Sequence, residues 1–102
     1  MTVVGLTADG KKIVYTSASG PSNYSQANNF NLTVGDVNRI DTVLFLHIDG
    51  GYKIIDYSVS GNVINIVIGY YDFSKSSADV ASEVADGADL SSITITAVVI
   101  GT

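Results

Sequence analysis

The chain of 102 residues has the size of one domain, and with 46% hydrophobic residues and no cysteine it excludes wholesale disorder, a disulfide scaffold, a thiolate nucleophile and any cysteine-ligated metal centre. Ten acidic residues against five basic ones give a formal charge of -5, with the cations dispersed at Lys11, Lys12, Arg39, Lys53 and Lys75. The counterion release that drives binding to a phosphate backbone therefore has little to act on, and nucleic acid is excluded as the expected partner.

Thirteen Val and eleven Ile against five Leu, with nine aromatic residues, is the usage of strands rather than helices. Val3, Val4 and Leu6, then Ala8, Asp9 and Gly10, then Lys12 to Tyr15 read as an opening hairpin, since Asp followed by Gly suits a turn that needs positive φ. The polar run SASGPSNYSQANNF reads as a long surface connection with a local turn at Gly20 and Pro21. A short strand follows at Phe30 to Val34, where Phe30, Leu32 and Val34 alternate with Asn31 and Thr33. Three longer strands, 40–48, 52–59 and 62–71, are separated by Asp49-Gly50-Gly51 and by Ser60-Gly61, which predicts an antiparallel meander. Residues 72–90 leave two readings open. Ala78, Val80, Ala81, Val84 and Ala85 line one face of a short helix capped at Gly87, or the segment is an irregular loop, since Glu83 and Asp86 oppose the field at a helix C-terminus. A last strand spans approximately 91–100. The expectation is a single all-β domain over residues 1–102, an antiparallel β-sandwich or closely related barrel of six or seven strands.

Strand alternation predicts the inward residues as Ile40, Leu44, Leu46, Ile48, Ile55, Tyr57, Ile64, Ile66, Ile68, Ile95 and Val99. The opposite faces are not uniformly polar, because Val43, Phe45, Val67 and Tyr71 stand there. Either a loop of the same chain covers them or a partner does, with Asn65 and Ser58 able to serve a polar rim. These four are the interface candidates, and the partner is expected to be a second copy or another protein of an assembly.

His47 is the one histidine, and a triad can be drawn with Asp41 or Asp49, but no nucleophile is spaced to join it. The chain has no G-x-S-x-G, no phosphate-binding loop and no dinucleotide fingerprint. The pairs Asp36 with Asp41 and Asp49 with Asp56 lack any sequence sign of a cleft. A noncatalytic protein without cofactor or metal is expected. Asp79, Glu83, Asp86 and Asp89 offer oxygen ligands for Ca²⁺ but match no EF-hand loop, and they read equally as solvated acids near turns. Tyr24, Tyr52 and Tyr70, interleaved with Asn and Ser, keep a carbohydrate-binding or adhesion module as the alternative function, the rings stacking on a glycan. Asn23-Tyr24-Ser25 and Asn31-Leu32-Thr33 are glycosylation acceptors that matter only after export. No segment reads as a signal peptide or membrane anchor, so a soluble protein without a membrane partner is expected.

The succession RIDTV, GGYKI, VSGNVINIVI and EVADGADLSSITITAVVIGT, over residues 39–102, resembles small β-rich virion proteins of tailed phages and archaeal viruses, including head and tail accessory components. The resemblance implies a structural or accessory role in a virion, as a head decoration or tail component, with viral shell or tail proteins as partners. It carries no receptor-binding or cleavage residue onto this chain.

Overall fold

The computed structural model describes residues 2–71 and 81–102. Among the described residues, eight strands form two four-stranded antiparallel sheets packed as a sandwich. They are β1 (Thr2–Leu6), β2 (Lys12–Ser19), β3 (Phe30–Thr33), β4 (Ile40–Ile48), β5 (Tyr52–Ser60), β6 (Val63–Tyr71), β7 (Ala81–Glu83) and β8 (Thr94–Gly101). The first sheet runs β1-β2-β8-β4. In the second, β5 pairs with one edge of β6, while β3 and β7 share the other. The expected all-β sandwich is therefore present, with one strand more than the upper expectation. That extra strand is β7, a three-residue piece within the segment read as helix or loop. The part of that reading covering residues 72–80 lies outside the described residues.

The expected meander does not form. Strands β5 and β6 pair across the Gly61 turn, but β4 pairs with β8 in the other sheet. Asp49 fixes this outcome: its amide donates to the Thr94 carbonyl at 3.2 Å and its carboxylate accepts from the Thr94 amide at 2.8 Å. The end of β4 is thus tied to the start of β8. Gly50 and Gly51, at φ of 73° and 83°, then carry the chain across to the second sheet.

Inward residues of both sheets form one buried cluster. Val14, Ile40, Ile48, Ile95, Ala97 and Val99 come from the first sheet, and Leu32, Ile64, Ile66 and Ile68 from the second. Ile64, Ile66, Ile68, Ile95 and Val99 are fully buried, as their alternation predicts. Leu44, Ile55 and Tyr57 are corrections, at 54%, 40% and 46% exposure. In β4 the ladder slips between Ile40 and Thr42 and again between Val43 and Phe45. Each bulge inserts one residue and reverses the alternation. Two reversals cancel, so Ile40, Leu46 and Ile48 point inward as expected, while Val43 replaces Leu44 in the middle. A bulge between Ile54 and Asp56 likewise turns Ile55 outward, where its side chain lies over the bare backbone of Gly69. Tyr57 pairs with Ile66 on the inward register but belongs to the outermost strand of its sheet, where the facing sheet leaves it open.

The core assignment separates two substitutions. Ile66→Asp buries a charge without a partner, so the cooperative thermal melt should be lost. Leu44→Ser, at a bulge facing solvent, should stay within about 0.5 kcal/mol of wild type in a urea titration. Unbroken alternation in β4 would make both destructive.

Candidate interaction surface

The long polar connection is tied down rather than loose. Gly20 donates to the Ile93 carbonyl, Leu90 to Pro21, Tyr24 to Ala88 and Gly87 to Tyr24, at 2.7 to 3.0 Å, so residues 20–24 and 87–93 clasp each other. Gly20 lies so close to the Leu90 carbonyl and the Ile93 side chain that a Cβ there has no room. Tyr24 anchors the clasp at 1% exposure. Its hydroxyl fills the interval along β6 between β3 and β7, accepting from the Ile68 amide at 3.2 Å and from Asn29 Nδ2 at 3.3 Å and donating to Glu83 Oε2 at 2.7 Å. One donor and two acceptor positions are all that a phenol has, and all three are used. Asn29, at φ of 60°, holds the left-handed conformation that asparagine tolerates and adds a bond to Glu83 at 3.1 Å. Burial foremost, then the Glu83 carboxylate, hold the Tyr24 phenol above the ordinary tyrosine range.

This arrangement removes Tyr24 from the glycan-stacking candidates, because its ring is packed in the core. Tyr52 and Tyr70 are cross-strand partners on β5 and β6. The first is half-buried against the core and the second is 40% exposed. The described residues form no pocket around them.

The acids are occupied separately. Glu83 serves Tyr24, Asp86 accepts from the Gln26 amide at 2.7 Å, and Asp89 accepts from the amide and hydroxyl of Ser91, which hold its carboxyl below the ordinary range. Among the described residues no three metal-ligating side chains converge, and Asp79 lies outside them. Asp41 is engaged by Lys11 at 3.4 Å and Arg39 at 3.0 Å, and Asp49 by Thr94. His47 instead stacks on Phe45, with ring centroids 6.0 Å apart and planes 12° from parallel.

The four interface candidates do not share a surface. Val43 faces the core between the two β4 bulges, which corrects its expected outward position. Val67 and Tyr71 lie on the outer face of the second sheet, among Asn31, Asp56, Ser58 and Asn65, with the Lys53 ammonium 5.0 Å from the Tyr71 ring centroid. Phe45 stands on the outer face of the first sheet, on the far side of the sandwich, at 51% exposure.

Around Phe45 the register assembles what the sequence reading missed. Tyr15, Val98 and Phe45 are aligned across β2, β8 and β4 in one row, flanked by Ile13, Ile100 and Thr42 in a second and by Ser17, Thr96 and His47 in a third. These rows carry no Lys, Arg, Asp or Glu. Leu44, thrown outward by its bulge, extends the apolar area at the β4 edge. Strand pairing was the absent information: Tyr15 and Val98 are 83 positions from one another in sequence and become neighbours only once β2 is placed against β8.

No protein-family model, curated protein or solved structure matches the chain.

The clasp yields two expected outcomes. Tyr24→Phe strands the Ile68 amide and should cost about 1–3 kcal/mol in a denaturant titration. The folded state favours the neutral phenol, so this stabilisation is full below the ordinary pKa of 10.0 and declines as the pH rises through the higher folded value. The stability difference between wild type and Tyr24→Phe should therefore shrink above pH 10.0.

Proposed function

We propose that this chain is a noncatalytic structural or accessory component of a virion, held in its assembly by the outer face of the first sheet. The observation that supports this reading is the uncharged apolar surface built from Tyr15, Val98 and Phe45 with Ile13, Ile100 and Leu44 around it. Exposed Tyr15, Phe45 and Leu44 with half-buried Ile13, Val98 and Ile100 between them, depleted of charge, have the composition of a contact core, and Ser17, Thr96 and His47 supply a polar border. Such a face costs solubility unless something covers it. The virion setting, as head decoration or tail component, rests on the resemblance carried by residues 39–102. Engagement of the acids and of His47 in structural contacts supports the noncatalytic part, since general acid-base chemistry needs a positioned constellation.

Particles produced from a genome carrying this sequence, banded on a density gradient, should contain the chain in stoichiometric amount. A folded Phe45→Asp chain should be lost from that band. Wild-type chain absent from the particles overturns the virion setting, and retention of the variant at wild-type level overturns this face.

A further inference from the structure

We infer that the occupant of the first sheet's outer face is a second copy of this chain, stacked face to face about a two-fold axis running along β8. The inference rests on the reading of that face as a docking surface and names its partner.

Two copies of a sandwich can meet edge to edge or face to face. The edges are poor templates: β1 carries a bulge between Val3 and Gly5, β4 carries two, β5 carries one between Ile54 and Asp56, and the remaining edge is split between β3 and β7, of four and three residues. Of the two outer faces, the second sheet offers Asn31, Asp56, Ser58 and Asn65, with Lys53 over Tyr71. Copies that each carry a charge of -5 repel wherever carboxylates meet. The three rows on the first sheet form a surface without carboxylates, with Asp41 and Asp49 falling toward the two ends of β4.

The register supplies self-complementarity. A two-fold axis along the central strand β8 exchanges the positions above β2 and β4 while keeping each residue in its row. Tyr15 and Phe45 share a row, so Tyr15 of each copy meets Phe45 of the other, and Val98 meets Val98 on the axis. In the neighbouring rows Ile13 meets Thr42, Ile100 meets its own counterpart, and the His47 imidazole meets the Ser17 hydroxyl. Every aromatic ring is thereby matched with an aromatic ring, and the one imidazole with a hydroxyl. Tilting the axis by about 15° from β8 gives the crossing of about 30° that twisted sheets prefer when they stack. About this axis only β2, β8 and β4 face strands of the other copy, since β1 falls beyond the partner's β4, and three strands about 4.8 Å apart, with eight residues rising about 3.3 Å each, give a projected footprint of about 380 Å² before side-chain relief is added. That places the contact at the weak end of specific interfaces, below about 600 Å² of accessible surface per partner, so the dimer forms only at high protein concentration.

Sedimentation equilibrium on the wild type, on Phe45→Asp, on Tyr15→Lys and on an equimolar mixture of the two variants tests the pairing. The wild type should dimerise, more tightly as salt screens the net charge. Each variant alone should lose affinity on the order of 100-fold, because the substitution acts twice at a two-fold interface. The mixture should recover a heterodimer, in which the introduced ammonium meets the introduced carboxylate and the other Tyr15–Phe45 contact stays native. A monomeric wild type at about 1 mM overturns the inference, and attachment of the same face to a different protein is then decided by the particle experiment. Variants that dimerise like the wild type overturn the choice of face, and a mixture that stays monomeric overturns the two-fold pairing. Should either variant unfold by circular dichroism, amide shifts of the wild type on dilution take its place: changes confined to Ile13, Tyr15, Phe45, His47, Val98 and Ile100 support the face, and changes elsewhere reject it.

Discussion

Two central strands pressing apolar columns into one interior set everything else in this molecule. β8, flanked by β2 and β4, contributes Ile95, Ala97 and Val99, and β6, flanked by β5 on one side and by β3 and β7 on the other, contributes Ile64, Ile66 and Ile68, all at 0% exposure. Because both edges of each strand are occupied, their backbone polar groups are satisfied within the sheets while the side chains are withdrawn from water. The first sheet draws its members from the start, the middle and the end of the chain. Its closure therefore costs loop entropy that local hairpins do not repay, and the buried columns must offset it.

Where the ladder of β6 is interrupted, a side chain completes it. The Tyr24 hydroxyl stands where a strand residue would accept from the Ile68 amide, and the Val84 amide returns a bond to the Ile68 carbonyl at 3.0 Å. One phenol thus links the polar connection after β2, the last residue of β7 and the central strand of the second sheet. Polar side chains such as Gln26 and Asn29 serve the same join, bonding to the Val84 carbonyl and the Glu83 carboxylate.

Strand existence and fold class were legible because β-branched alternation reports a sheet whatever its partners are. Faces were legible only where ladders are regular: β6 and β8 read correctly throughout, whereas β4 read correctly at Ile40, Leu46 and Ile48 and inverted between its bulges. A bulge leaves no mark where Val43, Leu44, Phe45 and Leu46 follow one another without a polar residue between them. Tyr24 was illegible for another reason. Set among Ser, Asn and Gln it has the look of a surface residue, and its burial depends on a backbone amide that lies 44 positions away. The Asp49-Gly50-Gly51 turn serves equally for a hairpin or for a crossing between sheets, and the choice was made by Thr94. The apolar surface was half legible, since Phe45 was placed correctly but its neighbours came from strands that sequence order keeps apart.

The paired bulges of β4 also bear on how the chain tolerates changes in length. Removing Leu44 heals one bulge and leaves Val43, Phe45, Leu46, His47 and Ile48 each on the face it already occupies, because the ladder beyond keeps its partners. The interior has no means of detecting such a deletion. What changes is the border of the sheet, which loses a kink and gains a straighter row of unpaired donors and acceptors. The extra residue thus shapes the edge that the molecule shows to other chains and not its interior.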